Sequence, residues 1–315
     1  MNSHIKFGMY AGVTLSFLIA FGAFMADIAE PSIQEDQTVT IAQEVQIKEK
    51  IELPFGGTNV LPSNRFVALY GNPAIAALGA LGEQNMAETF IRVKQIALEY
   101  QQYSDEPVVP TLEIITTIAS AKPTMNDDYS QEIDIDKIEP WVEQAEIEGV
   151  YVLLDLQPGR TDFLTQAKQY ETLLLNPHVG LALDPEWRLH TPESRHLVKV
   201  GYVDANEINQ TSQWLANLTK IHELPQKLFI VHQFKPSMIT NRESINTEAE
   251  ELAYIIHVDG HGTLGQKIDT WNSMQIDLPS NIFMGWKNFY DEDKPTPTVH
   301  ETMSQRPKPW FISYQ

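Results

Sequence analysis

The 315-residue chain contains no cysteine. That excludes disulfides, thiolate metal sites, a cysteine nucleophile and an acylated lipobox cysteine. It is neutral about compartment, because an exported bacterial protein can do without cysteine. Positive charge is scarce as well. Lysine and arginine number 22 against 42 acids, giving a net charge of −20. Nucleic acid and anionic lipid call for a basic surface, so nonspecific binding to either is disfavoured and no nucleic-acid partner is expected. An anionic ligand would need a local basic pocket. Gly71 and Gly82 form neither a GxGxxG nor a P-loop pattern. No G-x-S-x-G elbow occurs, which disfavours a serine hydrolase. Internal repeats and long low-complexity tracts are absent, and no cofactor is expected.

Long apolar runs are also few. One, residues 7–26 (FGMYAGVTLSFLIAFGAFMA), is uncharged throughout. About 20 such residues span a bilayer as a helix. His4 and Lys6 precede it, and Asp27, Glu30, Glu35 and Asp36 follow. That balance fits a cytoplasmic N-terminus. A cleaved signal peptide needs a shorter core and an A-x-A-like site, and cleavage after Ala29 would put Asp27 at minus three. Residues 1–26 therefore read as an uncleaved signal anchor, with a signal peptide as the alternative. Residues 27–61 read as an acidic linker, although 39–51 alternate enough for an edge strand. The expected location is the cell membrane, single-pass, with residues 62–315 folded outside the cytoplasm.

The bulk is not disordered: 43% of residues are hydrophobic and 10% aromatic, enough for a core without staples. Apolar runs recur, each stopping at polar residues. Strands are expected at 65–70, 108–116, 150–155, 179–183, 198–203, 228–231, 254–258 and 282–285, the fifth being the doubtful one. Helices are expected at 83–103, 137–148, from 161 or 162 to 175, from 204 or 206 to 221, at 247–252 and at 266–274. The apolar tail 310–314 is expected to pack back on the domain. Continuous apolar strands alternating with helices imply a parallel sheet. Eight strands in this length fit an α/β, TIM-like (β/α)8 barrel, with a seven-stranded or distorted barrel as the alternative. Polar residues at the strand ends would then line its C-terminal mouth.

Five stretches carry a resemblance: LYGNP near Tyr70, VYVLLDLQPGRTDFLTQ at 150–166, PHVGLALDPEW at 177–187, LPQKLFIVHQF at 224–234 and GWKNFYDED at 285–293. They resemble a bacterial family of exported, membrane-attached barrel proteins, over roughly residues 64–315. The resemblance implies the barrel and the location. It adds little about the reaction, since glycoside-hydrolase likeness is there a fold-level analogy.

Asp184 and Glu186 stand two apart at a strand end, so they share a face in extended geometry. Paired carboxyls in one cleft push one pKa up and yield an acid beside a base. Glycoside hydrolysis uses such a pair. Glu186 is expected as the acid, with Asp184 or Asp259 as nucleophile or base; neighbours two apart are close for that task, so the pairing with Asp259 is the more plausible. The opposing reading has these carboxylates paired with Arg160, Arg188 or Lys287 to brace loops. Trp187, Trp286 and Tyr290 either stack on sugar rings or cap the barrel core. Glu113, Asp155, Gln157 and Gln233 are expected at the same mouth. Arg160 and Lys287 either orient an anionic group of the ligand or neutralise the acidic mouth. His232, His257 and Asp259 form the other candidate set, for a divalent metal. The leading expectation is a barrel that binds, and hydrolyses, a cell-envelope or environmental glycan. The alternatives are a metal-dependent hydrolase and a noncatalytic wall-binding or scaffolding protein.

Overall fold

The structure, a computed structural model, describes residues 50–191 and 198–315. The apolar run at 7–26 and most of the acidic segment lie outside the described residues. Among the described residues no helix is long and apolar enough to cross a membrane.

Eight parallel strands close into a barrel. They are β1 (Arg65–Gly71), β2 (Val108–Ala119), β3 (Tyr151–Leu156), β4 (Val179–Leu183), β5 (Lys227–His232), β6 (Leu252–Val258), β7 (Phe283–Asn288) and β8 (Phe311–Tyr314). Each pairs with its neighbours in sequence, and β1 pairs with both β2 and β8, which closes the ring. The fold is thus a TIM-like (β/α)8 barrel.

Helices α1 (Met86–Gln101), α2 (Ile135–Glu148), α3 (Phe163–Gln169), α4 (Glu171–Leu174), α5 (Ala205–Ile221), α6 (Leu264–Gln275) and α7 (Val299–Met303) connect the strands. Their starts follow local chemistry. The Asn85 side chain accepts from the Glu88 amide in a capping box, and Thr263 does the same for α6. Asp162 and Asp204 cap α3 and α5. Gly149 ends α2 in the left-handed region at φ 67°.

Two expectations are corrected here. The fifth strand is not at 198–203. Only Val203–Asp204 is extended, and it pairs with Ile239–Thr240 in a separate two-stranded sheet. Val198 is 82% exposed, so this stretch buries too little to join a barrel wall. The missing strand is the tail, which inserts between β7 and β1 instead of merely packing back. No helix forms at 247–252 either; Leu252 already opens β6. Six residues make too short a helix to hold without a packed face.

Alternation along each strand divides the side chains. One set faces the helices. The other fills the barrel: Phe66, Ala68, Tyr151, Leu153, Ala182, Leu228, Ile230, Ala253, Ile255 and Phe311 form one buried cluster. Gly180 makes room there, since a Cβ would lie 2.8 Å from the Tyr151 hydroxyl. Leu53, Val60 and Leu61 join the same cluster from the chain before β1. Phe55 meets Phe66 and Tyr151 edge-on at 6.2 and 6.4 Å. Apolar side chains therefore plug the N-terminal end, and the polar inward residues are left at the other.

Candidate active site at the barrel mouth

Continuing the inward alternation by one step gives Tyr70, Glu113, Asp155, Asp184, His232, His257 and Lys287. All seven are buried. Apolar side chains would end the barrel at lower cost, so this polar layer is the candidate site.

His232 lies at its centre. Its Nε2 is 2.9 Å from Glu113 Oε1, and its Nδ1 is 3.1 Å from Asp259 Oδ2. Asp155 Oδ1 stands 3.8 Å from Nε2. Burial works against a charged imidazole, but Glu113 and Asp259 outweigh it and raise the His232 pKa well above the usual value. The shift favours the imidazolium, in which each ring N–H donates to one of the two acid side chains. His257 behaves in the opposite way. Burial, then His232 and Lys287, push its pKa well down, so it stays neutral. Its Nε2 lies 3.2 Å from Ser313 Oγ. Gly285 gives it space, since a Cβ there would come within 3.1 Å of the His257 ring.

The carboxyls differ in what surrounds them. Burial raises Asp155 to about 7, Glu113 adding to the effect. Tyr70 donates its hydroxyl to Asp155 Oδ2 at 3.0 Å, and Gln157 donates to Tyr70 at 3.2 Å. Asp184 is raised well above its usual value by burial and by Glu186. Glu186 follows it in a short 3-10 turn, Pro185–Trp187, and is raised to about 7 by burial and then by Asp259. Among the described residues, Glu113 Oε2, Asp155 Oδ1, Asp184 Oδ1 and Asp259 Oδ1 have no hydrogen-bond partner.

Above this layer opens a cavity of about 710 Å³. Glu186, Asp259, Lys287, Gln157 and Tyr70 reach it, beside the aromatic walls of Trp187, Phe234 and Phe289. It is of ordinary size for a ligand pocket.

Several sequence-based expectations meet here: Glu186, Asp259, Gln157, Trp187 and Lys287 share the cavity, with Glu113, Asp155, Asp184 and His232 directly beneath. Others are corrected. Trp286 faces the helices, 5.4 Å from Trp271, with its Nε1 donating to Asn288. Gln233 turns away from the mouth and bonds Arg242 and the Lys235 carbonyl. Tyr290 stacks on Tyr314 at 5.2 Å, outside the cavity wall. Arg160 pairs with Asp127 at 2.8 Å and lies over Tyr129. Arg188 pairs with Glu207, so neither arginine braces Asp184 or Glu186. The trio His232, His257 and Asp259 does not converge as one metal site. Two other trios do, Glu113 with His232 and His257, and Asp184 with His232 and Asp259, each with donor atoms within 4.8 Å.

Sequence reasoning gave no role to Phe234, Phe289 or Lys267. Lys267 had a visible signal: it falls on the α6 face that buries Trp271 and Met274. Its ammonium is 3.0 Å from Asp293 and donates to the carbonyls of Gly260 and Lys287. Asp293 in turn accepts from the amides of Gly262 and Phe289. This buried pair staples the loop after β6 to the loop after β7.

No family model and no curated protein matches the sequence. Among solved structures, an oxaloacetate acetylhydrolase bound to 3,3-difluorooxalacetate is similar at 11% identity and a TM-score of 0.34, over 80% of this chain and 74% of that one. A dihydropteroate synthase from Anaplasma phagocytophilum gives 9% and 0.30, over 80% and 93%. One from Xanthomonas albilineans gives 6% and 0.30, over 80% and 88%. Overlaps this loose say nothing of activity, and the barrel rests on its own strand pairing.

Proposed function

We propose that the mouth is the active site of a glycan hydrolase, with Glu186 as acid and Asp259 as base or nucleophile. One observation carries the reading. Two carboxyls reach the same cavity from different strands, in environments that separate their roles. Glu186, held at about 7, keeps its proton in about half of the molecules at neutral pH, far more than an ordinary glutamate does. Asp259 instead faces the His232 cation, an arrangement suited to a carboxylate. Unlike environments of this kind distinguish an acid from a base.

In the reaction, Glu186 gives its proton to the leaving oxygen as the glycosidic C–O bond breaks. Asp259 either takes a proton from the water that attacks the anomeric carbon, or bonds to that carbon until water releases the sugar. Asp184 is 1% exposed and lies beneath the cavity, where burial and then Glu186 hold its own pKa well up. Trp187, Phe234 and Phe289 offer apolar faces to sugar rings, and Gln157 and Tyr70 offer hydrogen bonds. The resemblance to exported membrane-attached proteins and the apolar run at 7–26 support a cell-envelope or environmental glycan, met outside the cytoplasm by a tethered domain.

The test incubates the full-length protein with purified wall polysaccharides and peptidoglycan, alongside Glu186→Gln. New reducing ends from the parent only are expected. Equal turnover by the variant would remove Glu186 as the acid. Saturable binding by both proteins without products would leave a noncatalytic wall-binding role.

A second reading is a metal-dependent hydrolase. The two convergent trios and the unpartnered oxygens around His232 favour it. The donor set of carboxylates and imidazole suits a divalent cation. Metal analysis after purification without chelator decides it: absence of stoichiometric metal, with activity indifferent to chelator, excludes this reading.

A further inference from the structure

Among the described residues, Lys287 is the one deep cation of the cavity wall. Its side chain extends inward from β7 and is only 3% exposed. The ammonium stands 3.5 Å from the centre of the Tyr70 ring and 5.2 Å from that of Phe289. Among the described residues it makes no hydrogen bond and no ion pair. That is unusual at a mouth carrying so many carboxyls. Asp155 and Glu186 both feel its charge, yet neither comes within ion-pair distance. An aromatic face compensates a cation only in part, and beyond it the ammonium meets only the solvent of the cavity. Lys287 also lines the cavity, so a ligand there can reach it.

We infer that Lys287 receives a carboxylate borne by the sugar, and that the substrate is an acidic glycan such as one containing a hexuronate or a lactyl ether. The inference rests on the glycan reading and names the substrate class for that same site. A monoanion fits better than a phosphate. Lys287 is a single point charge, without an arginine to form a fork beside it on the cavity wall. A second negative charge would face Glu186, Asp259 and Glu292 across the same cavity. The other cation of the wall, Lys235, is exposed at the rim with its ammonium 5.2 Å from the Phe234 ring centre. A neutral sugar would leave the Lys287 ammonium desolvated and unpaired, which is the basis of the discrimination.

The test is calorimetric titration of the full-length protein with two matched pairs: methyl glucuronide against methyl glucoside, and N-acetylmuramic acid against N-acetylglucosamine. The expected result is at least about tenfold tighter binding of the acidic member of one pair, in line with a charge-assisted hydrogen bond. Lys287→Gln should erase that preference, and Lys287→Arg should keep most of it. Equal binding of acidic and neutral members overturns the role of Lys287 while leaving the glycan reading standing. So does a preference that survives in a folded Lys287→Gln protein. If that variant fails to fold, the parent and Lys287→Arg decide. No preference in the parent, or its loss on keeping the charge as arginine, counts against the inference. Absence of binding by all four sugars overturns both the inference and the glycan reading.

Discussion

His232 bridges Glu113 and Asp259, one ring nitrogen to each, at 2.9 and 3.1 Å. The bridge connects the barrel floor to the cavity wall. Removing it leaves two carboxylates buried and facing one another. We expect His232→Leu to cost about 3–5 kcal/mol of stability, the usual scale for breaking a buried pair. Urea unfolding of parent and variant measures this. A loss below about 1 kcal/mol would mean that the ring carries no charge in the folded protein.

Raised carboxyl pKa values make a second, less common prediction about pH. Burial and then Asp259 bring Glu186 to about 7, against 4.5 ordinarily. Burial and then Glu113 bring Asp155 to about 7, against 3.8. Between those limits the folded state holds more protons than the unfolded one, so stability falls as pH rises. His232 acts in the same direction: its raised pKa gives stability that is complete below 6.5 and is lost as pH climbs through the folded value. These three groups favour pH 5 over pH 8, the lowered pKa values of His257 and Lys227 work against them, and Glu186→Gln should flatten part of the falling slope. Melting temperatures across this range check it. Turnover should also decline above about pH 7, as Glu186 loses the proton it must donate.

Much of this site was legible in the sequence, for one reason. A buried parallel strand is an apolar run, and where it stops the next inward residue is exposed to the mouth. That rule locates Glu113, Asp155, Asp184, His232 and Asp259. It fails where parity is ignored. Trp286 precedes Lys287, and neighbours on a strand face opposite sides, so the two could not both line the cavity. Gln233 fails beside His232 for the same reason. The eighth strand was obscured because Phe311–Tyr314 is four residues long and follows Pro307 and Pro309. Arg160 could not be placed from sequence because its partner, Asp127, belongs to a different loop.

Lys227 sits at the opposite end of the barrel and carries a prediction unconnected with catalysis. It is fully buried, and among the described residues its ammonium donates only to the carbonyls of Asn176 and Val179, both at 2.8 Å. Burial lowers its pKa from 10.5 to about 7. Between those values the unfolded chain binds the extra proton, so this group makes stability rise with pH. Lys227→Met should remove that rise. At pH 7 the variant should equal or exceed the parent, and its advantage should vanish by about pH 10. Denaturant midpoints at the two pH values provide the check, and an advantage that grows with pH would contradict the assignment.

Lys267 and Asp293 test whether the mouth is held from behind. Lys267 ties the carbonyls of Gly260 and Lys287, each next to or within a cavity residue, and Asp293 ties the amides of Gly262 and Phe289. Both side chains are buried, so removing one strands the other. Lys267→Met and Asp293→Asn should each be destabilising, by about 3–5 kcal/mol where a charge is left unpaired. The double variant should cost less than the sum, since it strands no charge. A sum without coupling would show that the two act independently. The clamp also lies behind Asp259, which follows β6, and Lys287, near the end of β7. If it positions them, Lys267→Arg, which keeps the charge and its bond to Asp293, should retain sugar binding that Lys267→Met loses. Loss of binding in step with loss of folded protein, with no difference between the two variants once folded, would reduce the pair to a structural role.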